Sequence, residues 1–416
     1  MVVKTIITSL ILVFLLSTSA AGGRTKLMGL DSGDYADGIC KSRVEAQGYS
    51  CEEHKVTTKD GYILSLQRIP AGRSDGKKTG ARPPVLLQHG LMSVATYNLT
   101  LFYLKKLRFD ALTWLSNSPD ESLGFILADN GFDVWLANVR GTNYSSGHTS
   151  LSPNDPEYWD WSWDELVEYD LPAFVQYVNG QTGQKLHYVG HSLGTLMSFG
   201  AFSREEVINM VRSAALLSPI AYMGQMPSPL ARAAADIFTA EVLYWLGLKE
   251  FAPGGGPASK LVSDICSTID CTDLESVITG PNCCMNSSSS NLAHQQPTAT
   301  KNMIHLAQMI RQGTIAMYDY GSDDDNNKHY GQTTPPDYNM TSIPNDLPLF
   351  LSYGGEDLLS DVKDVQTLID TLSDHDPDKL VLHYVDDYAH LDFVSAVNAK
   401  QVVYDPLIAF FRLNQK

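Results

Sequence analysis

Residues 190–194 read Gly-His-Ser-Leu-Gly, set between a short apolar run, Leu186 to Val189, and a stretch from Thr195 to Phe202 that reads as a helix. A Gly-x-Ser-x-Gly pattern between strand and helix calls for a sharp turn that leaves the serine hydroxyl exposed, with no room for side chains beside it. Such a turn needs a sheet to stand on, and further strands are legible. Val85 to Gln88, Phe132 to Asn138, Ala214 to Leu217, Leu347 to Ser352 and Leu380 to Val385 read as buried strands, and Val56 to Ile69 as a hairpin turning at Asp60-Gly61. Ser162 and Glu165 form a capping box for a helix whose apolar positions are Val167, Leu171, Phe174 and Val178, with a kink expected at Pro172. Strands alternating with helices predict an α/β fold with a mainly parallel sheet covered on both faces. With 416 residues, 44% of them hydrophobic, the chain has enough apolar material for that core.

One connection is too long for a single crossover helix. From Pro219 to Leu347 the chain carries helical and irregular segments, four of its six cysteines and a polar tract, Asn286 to Ser290. The expected organisation is a leader over 1–21, a first part of the core over 22–219, a cap or lid over 220–346, and a second part of the core over 347–416.

A serine hydroxyl needs a base, and the base needs a carboxylate to orient it. On a sheet of this kind these follow in the order Ser, acid, His, just past the ends of late strands. Asp357, after Gly354-Gly355, and His390, after Leu380 to Val385, are the candidates that join Ser192. Glu356 and Asp361 are rivals for the acid; His383 and His375 are less well placed as the base. A tetrahedral intermediate also needs backbone N–H donors. Leu193, after the serine, and Leu91, in the loop His89-Gly90-Leu91, fill that role. His187 and His191 straddle a strand end and do not read as a metal pair. Asp323-Asp324-Asp325 reads as a solvated acidic loop, and Trp159, Trp161 and Trp163 as packing. No metal or cofactor is expected.

With 47 acidic against 30 basic residues the net charge is -17, and no Lys/Arg-rich block occurs. That balance excludes nucleic acid as a partner and points to neutral substrates or an acidic compartment. Lys4, the apolar run Ile6 to Leu16 and the small residues Ser17 to Ala21 make a secretory signal, with cleavage near Ala20 or Ala21. The run is too short for a transmembrane segment. Export permits disulfides. Cys40 and Cys51 are placed to staple the mature N-terminus. Cys266, Cys271, Cys283 and Cys284 cluster in the middle segment with their pairing open, and the adjacent pair argues against zinc. Glycosylation sequons begin at Asn98, Asn143, Asn286 and Asn339.

Taken together, His89-Gly90-Leu91, Gly190-His191-Ser192-Leu193-Gly194, Gly354-Gly355-Glu356-Asp357-Leu358-Leu359-Ser360-Asp361 and His390-Leu391-Asp392-Phe393 resemble the acid lipases, the family of gastric and lysosomal acid lipases and their plant and yeast relatives. The likeness runs from about Cys40 onward and is greatest to the plant triacylglycerol lipases. It implies an α/β-hydrolase with a cap over its site. It also implies Ser192 as nucleophile, Asp357 and His390 as its partners, and Leu91 and Leu193 as oxyanion donors. The expected function is hydrolysis of neutral lipid esters at a lipid–water interface, secreted or in a vacuolar or lysosome-like compartment, through an acyl-enzyme. The alternatives are an acyltransferase with the same triad, or a lipid-binding homologue without catalysis. The chain departs from the family in one place. Between His89-Gly90-Leu91 and Thr113-Trp114 it carries roughly sixteen extra residues, about Val94 to Phe109, which read either as a lipid-docking segment or as translated intron or isoform sequence.

Overall fold

A computed structural model describes residues 38–74, 80–91, 110–251, 274–285 and 296–415. The leader, the 94–109 insertion, Asn98, Asn286, Cys266, Cys271 and the polar tract at 286–290 lie outside the described residues.

The chain builds a sheet from β1 (Glu52–Thr57), β2 (Tyr62–Ile69), β3 (Pro84–Gln88), β4 (Asp133–Asn138), β5 (Gly147–His148), β6 (Leu186–His191) and β7 (Val211–Leu217). After the short pair β8 (Glu250–Phe251) and β9 (Thr298–Ala299), it adds β10 (Leu349–Gly354) and β11 (Leu380–Val385). The spatial order is β1-β2-β4-β3-β6-β7-β10-β11, with β5 on β2. From β4 to β11 every pairing is parallel; β1 and β2 are antiparallel. The central strands are apolar on both faces, as a sheet covered on two sides requires. Leu86, Trp135, Tyr188 and Leu216 pack with α2 (Leu171–Thr182) and α3 (Leu193–Phe202). Their alternates Leu87, Leu136, Val189 and Leu217 pack with an earlier helix, α1 (Leu123–Asp129), and the C-terminal helix, Asp405–Leu413.

The capping box at Ser162 and Glu165 is formed. At Pro172 the expected kink takes a specific form, a π-helical turn over Leu166–Asp170 that precedes α2 and seats the proline at its start, where no N–H is needed. Buried Arg140, past the end of β4, spans the hairpin turn and this helix, with Nη1 2.6 Å from Asp60 and Nε 2.7 Å from Asp170. Two expectations need correction. β11 is the sheet's last strand and is largely exposed at Val381, Leu382 and Tyr384, because nothing pairs with its outer edge among the described residues. Asp323, Asp324 and Asp325 form the first turn of a helix, Asp323–Tyr330, capped by Ser322, where negative charge suits the helix dipole. His375 is buried, with Nε2 2.7 Å from the Leu347 carbonyl.

The expected N-terminal staple is a Cys40–Cys51 disulfide, and Cys283 is bonded to its neighbour Cys284. Between β7 and β10 lie α4 (Pro229–Asp236), α5 (Thr239–Trp245) and α6 (Thr300–Gln312), with α6 packed on both. Asp164 ties this long connection to the core. Its carboxylate accepts the Tyr338 hydroxyl at 2.6 Å and the Tyr318 N–H at 2.8 Å. Burial pushes its pKa up to about 6, outweighing both hydrogen bonds.

A carboxyl raised from 3.8 to about 6 holds its proton more tightly in the folded state. It adds stability that is present in full below its unfolded value and is lost as pH rises through about 6. This increment is on the order of 3 kcal/mol. Asp164→Asn removes this titration, since its amide keeps one acceptor oxygen for the Tyr318 N–H and presents an NH2 donor to the Tyr338 hydroxyl. Thermal melts from pH 4 to 7 should show the variant falling less steeply than wild type; parallel curves would contradict the assignment.

Candidate active site

Ser192 follows β6 with φ 54 and ψ -119, a conformation that L-residues rarely adopt, and α3 starts at the next residue. The turn forms because its neighbours lack side chains. A Cβ on Gly194 would lie 2.5 Å from the Gln88 carbonyl oxygen, and one on Gly90 would lie 2.8 Å from Ser192 Cβ. The second distance also places the loop after β3 against the serine.

β10 and β11 are parallel neighbours, so the loops after them leave the same end of the sheet. Asp357 and His390 stand on those loops. His390 Nδ1 lies 3.0 and 2.9 Å from the two oxygens of Asp357. A carboxylate only accepts, so Nδ1 carries the proton and Nε2 is left as the acceptor a general base requires. Burial alone would raise the Asp357 pKa. The His390 imidazole and the N–H groups of Ser360 and Leu359, each 2.8 Å from Oδ1, outweigh it and hold the carboxyl below its ordinary range. The rivals are placed elsewhere: Glu356 is exposed, and Asp361 caps the helix Val362–Thr371 by accepting the Lys363 N–H. His383 bonds Ser352 within the sheet. The Ser192 hydroxyl makes no hydrogen bond among the described residues. Such contacts are often long at rest and tighten only around substrate.

Leu91 and Leu193 line one small cavity with His89, Val139 and Thr142. The Leu193 N–H opens α3, where helix geometry gives it no partner within the helix. His89 braces the other loop: Nδ1 donates to the Gly90 carbonyl at 2.7 Å and Nε2 accepts the Val139 N–H at 3.4 Å. Burial pushes its pKa down to about 4, so it holds the loop as a neutral ring.

The sequence did not reveal that the segment after β7 returns to this loop. The Thr279 carbonyl accepts the His390 N–H at 3.1 Å, and Asn282 Oδ1 accepts the Leu391 N–H at 3.0 Å. Asp392 takes the N–H groups of Ala389, Cys283 and Cys284. These two cysteines and Asp392 come within metal-ligating distance, but the sulfurs are joined and the carboxylate is occupied, so the cluster serves to hold the loop. No local pattern announces a pairing across more than a hundred residues.

Gly194→Ala should force α3 away from β3, costing about 1–3 kcal/mol, and should slow labelling of Ser192 by a fluorophosphonate. A variant that melts and labels like wild type would show that the turn tolerates a side chain.

Residues 83–395 match the model of the alpha/beta hydrolase fold, and residues 40–100 match that of the partial alpha/beta-hydrolase lipase region. Triacylglycerol lipase 2 of Arabidopsis thaliana is 50% identical over 91% of this chain and 88% of its own length. Human gastric triacylglycerol lipase is 36% identical, covering 89% of each chain. Among solved structures, a lipase in its open form superposes with a TM-score of 0.52 at 15% identity, covering 88% of this chain and all of that one. A monoglyceride lipase variant from Saccharomyces cerevisiae gives 0.50 at 14% identity, covering 88% and 97%. The two structures share the fold, and the sequence relatives go further: the chain belongs to the acid lipase family of α/β hydrolases.

Proposed function

We propose that this protein is a serine hydrolase that cleaves carboxylic ester bonds of neutral lipids, triacylglycerols foremost, through an acyl-enzyme. The observation that carries this reading is the orientation of His390 by a buried carboxylate beside a serine held on a strained turn. Ser192 Oγ attacks the ester carbonyl carbon while its proton passes to His390 Nε2. The carbonyl oxygen, now negative, is received by the N–H groups of Leu91 and Leu193. Asp357 stabilises the imidazolium and fixes its tautomer. His390 then protonates the departing alcohol, and the ester of Ser192 remains. Water attacks that ester by the same steps in reverse and releases the fatty acid.

The connection between β7 and β10 is the proposed cap. It leaves large apolar side chains uncovered, with Trp245 77% and Phe238 45% exposed and Ile237 and Leu246 beside them in sequence. A patch of that kind favours contact with a lipid surface. No helix among the described residues is long and apolar enough to cross a membrane. The Cys40–Cys51 disulfide and the exposed sequon residues Asn143 and Asn339 support passage through the secretory pathway to an extracellular or vacuolar destination.

Ser192→Ala should abolish hydrolysis with folding intact, and Asp357→Asn should lower kcat by about 10³–10⁴ by favouring the wrong tautomer of His390. A tenth of wild-type activity in Ser192→Ala would rule out that nucleophile. Separately, a Phe238→Ala, Trp245→Ala double variant should lose activity on emulsified long-chain glycerides and keep it on a soluble short-chain ester. Equal loss on both would count against surface docking.

A further inference from the structure

His191 occupies a variable position of the Gly-x-Ser-x-Gly turn, and the mechanism above makes no use of it. Its side chain is buried at the end of β6 and faces the loop that carries His390. Nε2 lies 2.9 Å from the backbone carbonyl oxygen of His390. A carbonyl only accepts, so this nitrogen bears the hydrogen and donates. The two imidazole rings lie 4.9 Å apart, centre to centre, at 50°. The same carbonyl has a second, longer contact, 3.4 Å from Ser218 Oγ past the end of β7.

His390 is therefore held at three places. Asp357 takes its ring, the Thr279 carbonyl takes its N–H, and His191 takes its carbonyl. Only the last tie begins at the residue bonded to Ser192. We propose that His191 is a positioning residue for the base: its Nε2–H fixes the His390 main chain, so that serine and imidazole are set against each other by one turn. This rests on the reading of Ser192 and His390 given above.

The residue type fits the task. An aliphatic side chain would leave the carbonyl to the longer Ser218 contact. A lysine or arginine would set a fixed positive charge beside the imidazolium that forms on His390. Burial, with the neighbouring His390 ring, pushes the His191 pKa down to about 3, so this donor stays neutral in mild acid. The rate depends on the tie because a displacement of about 1 Å between reacting groups can cost on the order of 10²-fold.

The test compares His191→Leu, which has no donor, with His191→Gln, whose amide reaches the depth of Nε2, and His191→Asn, whose amide does not. kcat and KM are measured on a soluble short-chain ester, per molecule folded by thermal melt. The Leu variant should lose on the order of 10²-fold in kcat, with KM within about twofold of wild type, and the Gln variant should recover most of that loss. A Leu variant within threefold of wild type, or a Gln variant no faster than Leu, would overturn the proposal. If the Leu variant does not fold, Gln against Asn decides: Gln should be faster, and equal rates would overturn it. Fluorophosphonate labelling of the wild type separates the two claims. If Ser192 of the wild type is not labelled, the reading of the site fails; if it is labelled and the variants are unimpaired, only the role of His191 fails.

Discussion

Ser192 sits in a backbone conformation, φ 54 and ψ -119, that an isolated chain would abandon. Holding a non-glycine residue there costs about 1–3 kcal/mol, and it persists only where the surroundings fix it from several sides. Here they do. β6 is paired on both edges, with β3 and β7, and the Ser192 N–H donates to the Leu217 carbonyl. Gly194 lies directly against the backbone of Gln88, so strand, turn and helix form one packed unit. The rest of the site depends on that unit. Because β3, β6, β10 and β11 run parallel, their following loops gather at one end of the sheet. The Leu91 loop, the serine, Asp357 and His390 come from four such loops.

The electrostatics of the cluster follow from burial. Asp357 stays ionised because His390 and two backbone N–H groups outweigh the cost of its burial. Burial pushes His89 down to about 4 and, with the neighbouring His390 ring, His191 down to about 3. Both remain neutral in mild acid and act as rigid hydrogen-bonding struts. Asp164, raised to about 6 at the joint between the core and the connection from β7 to β10, points the same way. These features fit the acidic balance of the chain as a whole, net charge -17, whose mutual repulsion weakens as carboxylates protonate.

What was legible in the sequence was local. The hairpin at Asp60-Gly61, the capping box at Ser162 and the strand–turn–helix around Ser192 are written in neighbouring residues, and the structure contains each. Chain order suggested the acid and the base, but only geometry separates Asp357 from Glu356, since adjacent residues differ in which way they face. The exposure of β11 was not legible, because an apolar run reads alike at the edge and the centre of a sheet. Nor was the return of Thr279, Asn282 and Cys283-Cys284 to the His390 loop, which joins residues over a hundred positions apart. The donor role of His191 is not legible either, since a contact to a distant carbonyl leaves no mark on spacing.

The central claim is that the ester's acyl group passes through Ser192. The most direct measurement is to mix the protein with a short-chain nitrophenyl ester, quench in acid within the first turnovers, and map peptides by mass. The account predicts one added acyl group on the peptide that contains Ser192, disappearing as turnover ends. Steady release of nitrophenol with the acyl group on another side chain, or on none, would contradict it.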